Sequence, residues 1–227
     1  MTMTYLLFGI VALLSWVVQN GLNRRFQKYA QIPTNYGMTG KEVAEKMLRD
    51  NGIYDVAVIS AQGHLTDHYN PASKTVNLSQ HVYAGSNIAA AAVAAHECGH
   101  AVQHATAYSF LTVRSKLVPT VNFASKWVTW VLLAGILLVN SFPQLLLCGI
   151  ALFAITTLFS FVTLPVEINA SSRAMAWLNS AGITSVESYG KARDALKWAA
   201  YTYVVAALSS LGTLFYYITI YLNRNKN

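Results

Sequence analysis

A chain of 227 residues that is 54% hydrophobic and 11% charged, with a mean hydropathy of +0.37, cannot cover an ordinary water-facing surface, because soluble domains carry about 25% charged residues. Intrinsic disorder, collagen-like repeats and, with only Cys98 and Cys148 available, a disulfide scaffold are excluded, which leaves an integral membrane protein of one or two small units. Lys and Arg number 16 against 9 Asp and Glu. They form no dense cluster interleaved with aromatics, so the excess reads as basic loops flanking membrane segments and not as a nucleic-acid surface.

No Lys, Arg, Asp or Glu occurs from Met1 to Asn23, and the apolar stretch runs from Tyr5 to Val18 with Trp16 near its end. No positive charge precedes it and no small-x-small cleavage site follows, whereas Arg24, Arg25 and Lys28 come after it. This pattern predicts a retained anchor, N-terminus outside, and not a secretory signal. Thr39-Gly40-Lys41-Glu42 reads as a capping box for a helix carrying Val43, Ala44, Met47 and Leu48, stopped by Asn51-Gly52. Three short strands are predicted at Asp55–Ser60, Leu65–Tyr69 and Lys74–Leu78, with turn signals at Gln62-Gly63 and Asn70-Pro71. The Ala-rich stretch Asn87–Tyr108 is predicted as a helix.

Two spans follow, about Val121–Val139 and Leu145–Leu164, parted by Asn140-Ser141-Phe142-Pro143-Gln144. Pro165 is expected to precede a separate helix, about Val166–Asn179, ended by Gly182. Thr184-x-x-Glu187 reads as a second capping box, opening a long helix that runs into a last span, Ala199–Leu222. The expected organisation is therefore an anchor (1–23), a polar region (24–120), a transmembrane hairpin (121–164), a connecting region (165–198) and a C-terminal span with its tail (199–227). Four spans with the N-terminus outside put 14 of the 16 Lys and Arg on the inner side, counting Lys126 at the edge of its span; Arg224 and Lys226 are the exceptions.

His96-Glu97-Cys98-Gly99-His100 has the spacing H-E-x-x-H. At about 100° per residue the two histidines lie about 40° apart on a helix and can converge on one ion. Glu97 projects to the adjacent side as a general base, while Cys98 points away. Zinc suits imidazole and carboxylate ligands and needs no redox chemistry. Glu97 is the only acidic residue between Asp67 and Glu167. Glu167 directly follows a predicted span, where a carboxylate is costly unless paired or metal-bound, so it is the candidate third ligand. Two spans separate it from His100, so both emerge on one side. All six histidines fall between His64 and His104. His104 lies about 12 Å along the helix from His96 and is read as an outer partner or a substrate contact. His64, Asp67 and His68 lie on or beside a strand, where they could orient a ligand or bind substrate. His104, His68 or Tyr69 could donate to an oxyanion.

The stretches GMTGKEVAEKMLRDNGIYDV, LTDHYNPASKTVNLSQHVY, AAHECGHAVQHATAYSFLTVRSKLVP and LPVEINASSRA resemble the YugP-type membrane zinc metallopeptidases, neutral zinc metallopeptidase family 2. The resemblance covers most of the chain from Gly37 to Ala174. It implies a multi-pass protein of the bacterial plasma membrane and a gluzincin-like peptidase holding one zinc per chain. In that reading His96, His100 and Glu167 are ligands and Glu97 is the base. The family favours a small acid two residues after the third ligand, where this chain has Asn169.

The expected protein is thus mainly α-helical, with about four spans and a small α+β zincin-like unit at the membrane surface, active site on the cytoplasmic side. Its expected partners are the bilayer and a protein or peptide substrate, itself membrane-associated. A catalytically silent metal-binding scaffold is the alternative, against which an intact Glu97 argues, since structural zinc needs no base.

Overall fold

The computed structural model describes residues 2–63 and 66–224, and of residues 2–5 and 7 the backbone alone. The order of elements is α1 (Thr2–Tyr29), α2 (Gly40–Asp50), β1 (Ala57–Ala61), β2 (His68–Asn70), β3 (Thr75–Ser79), α3 (Gln80–Tyr83), α4 (Ile88–Ala105), α5 (Ser109–Leu137), α6 (Pro143–Ser180) and α7 (Val186–Asn223). Leu65, the first residue of the expected middle strand, and His64 beside it lie outside the described residues. The chain is mainly helical and divides into two compact units, one of residues 1–16, 112–164 and 202–227, the other of residues 17–111 and 165–201.

The second unit carries the sheet. Its strand order is β1-β3-β2, with β1 parallel and β2 antiparallel to the central β3. Val76 and Leu78 of β3 are fully buried among Val43, Ala44, Met47 and Leu48 of α2 and the alanines of α4. The capping box forms as the sequence predicts. Thr39 Oγ1 accepts the Glu42 N–H at 3.3 Å, and Glu42 Oε2 accepts the Thr39 N–H at 2.8 Å. Gly52 (φ +71°) lets the chain leave α2 while the Ile53 N–H closes on Leu48 O at 2.9 Å. Asn87 caps α4 by accepting the Ala90 N–H at 2.9 Å. The end of α1 is pinned through Asp194, whose Oδ2 accepts from both Arg25 Nε and Tyr29 Oη at 2.7 Å. Arg25 also stacks 3.9 Å above the Trp198 ring.

Two boundary expectations are corrected. Pro165 does not begin a new helix: α6 runs unbroken through it, as α5 does through Pro119. A proline removes one hydrogen bond at the carbonyl four residues back, and a long apolar helix tolerates that loss when neighbouring hydroxyls and packing compensate. The cap of α7 is also shifted by one residue. Ser185 and Ser188 bond reciprocally, with Ser185 N to Ser188 Oγ at 2.8 Å and Ser188 N to Ser185 Oγ at 3.1 Å. Thr184 instead donates to Leu178 O, and Glu187 accepts from Lys191 at 2.7 Å.

The first unit packs Leu132, Leu146 and Ile150 with side chains of α7 such as Leu214 and Tyr217. A Cβ on Gly135 would lie 2.6 Å from Leu146 Cα, so the α5–α6 hairpin closes only on glycine. Trp127, Trp130, Leu133, Leu158 and Phe215 are exposed. Among the described residues three helices, α5, α6 and α7, are long and apolar enough to cross a membrane. The expected N-terminal span, Tyr5–Val18, falls partly on residues whose side chains lie outside the description. At 1.5 Å per residue, the 38 residues of α6 extend about 57 Å, well beyond a hydrocarbon core of about 30 Å.

Candidate metal centre

Helix α4 sets His96 and His100 one turn apart, their rings edge to face with centroids 4.9 Å apart. The segment of α6 after Pro165 brings Glu167 against them. The approach depends on Gly99, where a Cβ would stand 2.6 Å from Ala170 O and 3.1 Å from Ala170 Cα. Only a residue without a side chain lets the two helix backbones come this close. Glu167 Oε2 lies 3.3 Å from His96 Nε2 and 3.6 Å from His100 Nε2. The ligand atoms of the three residues all lie within 4.8 Å of one another.

The hydrogen bonds behind these atoms show what the cluster lacks. Gln103 is fully buried, and its Nε2 donates to Val166 O at 2.7 Å and Asn169 Oδ1 at 3.0 Å. A carbonyl only accepts, so this fixes the amide orientation and leaves Gln103 Oε1 to accept from His100 Nδ1 at 3.0 Å. With the proton on Nδ1, the Nε2 of His100 presents a lone pair. His96 Nδ1 is likewise engaged, 3.0 Å from Ser171 Oγ. Glu167 Oε2 is buried without a hydrogen-bond partner. Lone pairs converging on an orphaned carboxylate oxygen need a cation, and two imidazoles with a carboxylate are a zinc donor set. The residues therefore fit the metal. The same lack governs His100 without metal. Burial pushes its proton affinity down, but the adjacent Glu167 carboxylate, the charge of Glu97 and the bond to Gln103 outweigh burial and raise it above its ordinary value.

Glu97 stands outside the three-residue cluster. Its carboxylate is buried, and Oε2 accepts the backbone N–H of Tyr69 at 3.1 Å. The free edge of β2 therefore faces it. The Tyr69 hydroxyl lies 3.2 Å from His104 Nδ1, and His104 is exposed at the end of α4. Asp67 turns elsewhere: its Oδ1 accepts the Ser79 N–H at 2.7 Å. His68 is exposed, with Nδ1 2.7 Å from Thr66 O. Cys98 is fully buried on the far side, 3.5 Å from Ala44 O, in keeping with its exclusion as a ligand. Asn169 Oδ1 accepts from Gln103 and, at 2.8 Å, from Arg173 Nε. Sequence reasoning missed Gln103 and Ser171. The available signal was helical spacing, since Gln103 follows His100 by three residues and Ser171 follows Glu167 by four.

Comparison with known proteins points to zinc as well. The chain is 42% identical over 227 residues, covering 99% of it and 100% of the relative, to a Bacillus subtilis (strain 168) protein named "Putative membrane protease YugP". No solved structure matches it. The profile of the family described as "Putative neutral zinc metallopeptidase" matches residues 4–222, and the chain belongs to that family.

Proposed function

We propose that the protein is a zinc-dependent endopeptidase of the bacterial plasma membrane, with His96, His100 and Glu167 as ligands and Glu97 as general base. The observation that carries this reading is the orphaned Glu167 Oε2 facing two imidazole nitrogens, beside a fourth polar group, Glu97, that does not join them. A structural site would have no use for that separate carboxylate. Zinc held there supplies Lewis acidity, which strengthens the scissile carbonyl as an electrophile and lowers the pKa of water.

The chain's own residues do the rest. Glu97 takes the proton of the attacking water and hands it to the leaving amide nitrogen. The Tyr69 N–H holds one oxygen of that carboxylate at 3.1 Å and leaves the other free for the water. A substrate lying extended along the free edge of β2 would put its carbonyl beside Glu97. The Tyr69 hydroxyl and the His104 imidazole, 3.2 Å apart, are the donors we assign to the developing oxyanion.

In the bilayer we read four spans, with α1 as the fourth beside α5, α6 and α7. The basic loops put the site on the cytoplasmic face, where it meets membrane-associated protein or peptide substrates. The test is a pair of measurements on purified full-length protein in detergent. Glu97→Gln should retain about one zinc per chain and lose peptide cleavage, whereas His96→Ala and Glu167→Ala should lose the zinc itself. Undiminished cleavage by Glu97→Gln, or full zinc content in Glu167→Ala, would overturn these assignments.

A further inference from the structure

The site-bearing unit holds a cleft of about 700 Å³ that the chemistry above leaves unused. It is bounded by the end of α1, by the segment from β3 into α3, and by the first half of α4. Phe26, Val82, Ala90 and Val93 give it an apolar wall. Among its described lining residues Asp67 is the one acidic side chain, and none is Lys or Arg.

Two paths lead from this cleft to Glu97. Along α4, Val93 precedes Glu97 by four residues, about 6 Å of helix rise, and shares its face. Along the chain entering β2, Asp67 precedes Tyr69 by two residues, about 7 Å of extended backbone. Tyr69 is the residue whose N–H holds Glu97. Both routes end at the same carboxylate, so the cleft opens one or two residues of extended peptide from the base.

The Asp67 carboxylate is fixed but not saturated. Its Oδ1 takes the Ser79 N–H at 2.7 Å, and the single Ser79 hydroxyl lies 3.1 Å from both carboxylate oxygens. One hydroxyl proton cannot satisfy both, so Oδ2 keeps acceptor capacity. No cation pairs with Asp67 among the described residues. An apolar wall ending in a rigid, unpaired carboxylate matches a side chain with an aliphatic stem and a cationic head.

We propose that this cleft is a specificity pocket of the peptidase, taking a Lys or Arg side chain of the substrate one or two positions from the scissile bond. Val93 and its neighbours carry the stem and Asp67 the charge. The proposal rests on the peptidase reading. The experiment measures kcat/KM of zinc-loaded, full-length protein in detergent on quenched fluorescent peptides. These carry Lys, Arg, Leu, Ala or Glu at each of the two positions on either side of the bond.

At one position Lys and Arg should exceed Leu at least tenfold, and Glu by more. Asp67→Asn keeps an acceptor for Ser79 and should reduce the Lys-to-Leu ratio below threefold, chiefly through KM. Val93→Phe touches no hydrogen bond and should cut the preference for Lys over Ala at least tenfold by narrowing the cleft. A flat profile at all four positions, or a basic preference that both variants retain, overturns the pocket while leaving the peptidase standing. Zinc bound at one per chain with no peptide cleaved overturns the peptidase, and the pocket with it.

Discussion

Replacing Gln103 by Met removes the amide that fixes His100 while nearly conserving volume. Gln103 is fully buried and makes three bonds, to His100 Nδ1 at 3.0 Å, Val166 O at 2.7 Å and Asn169 Oδ1 at 3.0 Å. Asn169 keeps Arg173 at 2.8 Å, and the Val166 carbonyl keeps its place inside α6. The group left stranded is the His100 Nδ1–H. A buried donor without a partner costs about 1–3 kcal/mol, so the metal-free protein should lose stability of that order. Loss of an outer partner of a ligating histidine weakens metal affinity about 10–100-fold. Zinc affinity would be read by competition with a chromophoric chelator, and stability by thermal melting with chelator present. Ser171→Ala is the comparison. Its hydroxyl faces His96 at a half-buried site where water can replace it, so a weakening below about threefold is expected. Zinc affinity of Gln103→Met within threefold of wild type would refute the reasoning, as would a larger loss in Ser171→Ala.

Two further outcomes follow from the same geometry. Gly99→Ala should push α6 away from α4, since the new Cβ would meet Ala170 O at 2.6 Å; a loss of about 1–3 kcal/mol in stability together with weakened zinc binding is expected, and normal zinc content with an unchanged melting temperature would contradict it. The raised proton affinity of His100 makes the metal-free protein pH-sensitive. A histidine whose folded value exceeds its unfolded one contributes stability below about pH 6.5 and loses it as pH rises through the folded value, so melting temperature with chelator should fall from pH 6 to 8. Zinc binding needs the deprotonated ring, so the rise in melting temperature on adding zinc should grow over that interval, and a zinc-induced shift independent of pH would count against His100 as a ligand.

Local rules made much of this protein legible before folding. The low charge content required a membrane protein. The 3.6-residue period put His96 and His100 on one face, and the isolation of Glu97 and Glu167 among apolar residues singled both out. Thr39 and Glu42 wrote their own cap because both partners lie within one turn. Where two local options competed, the sequence misled. Ser185 and not Thr184 caps α7, because Ser188 returns its bond, and α6 continues through Pro165, because a proline removes only one hydrogen bond from a helix of 38 residues.

The rest of the site was decided by contacts between residues far apart in the chain. Gly99 carries no side chain so that Ala170 can approach, and that approach sets where Glu167 meets the histidines. Gln103 joins α4 to α6 across 63 residues of sequence and sets the His100 tautomer, while a backbone N–H of β2 reaches 28 residues forward to hold Glu97. No periodicity encodes such pairs. A helix face lists which side chains can point together, but only the packing of one helix on another decides which lone pairs are left without a donor, and those are the atoms to which we assign the metal.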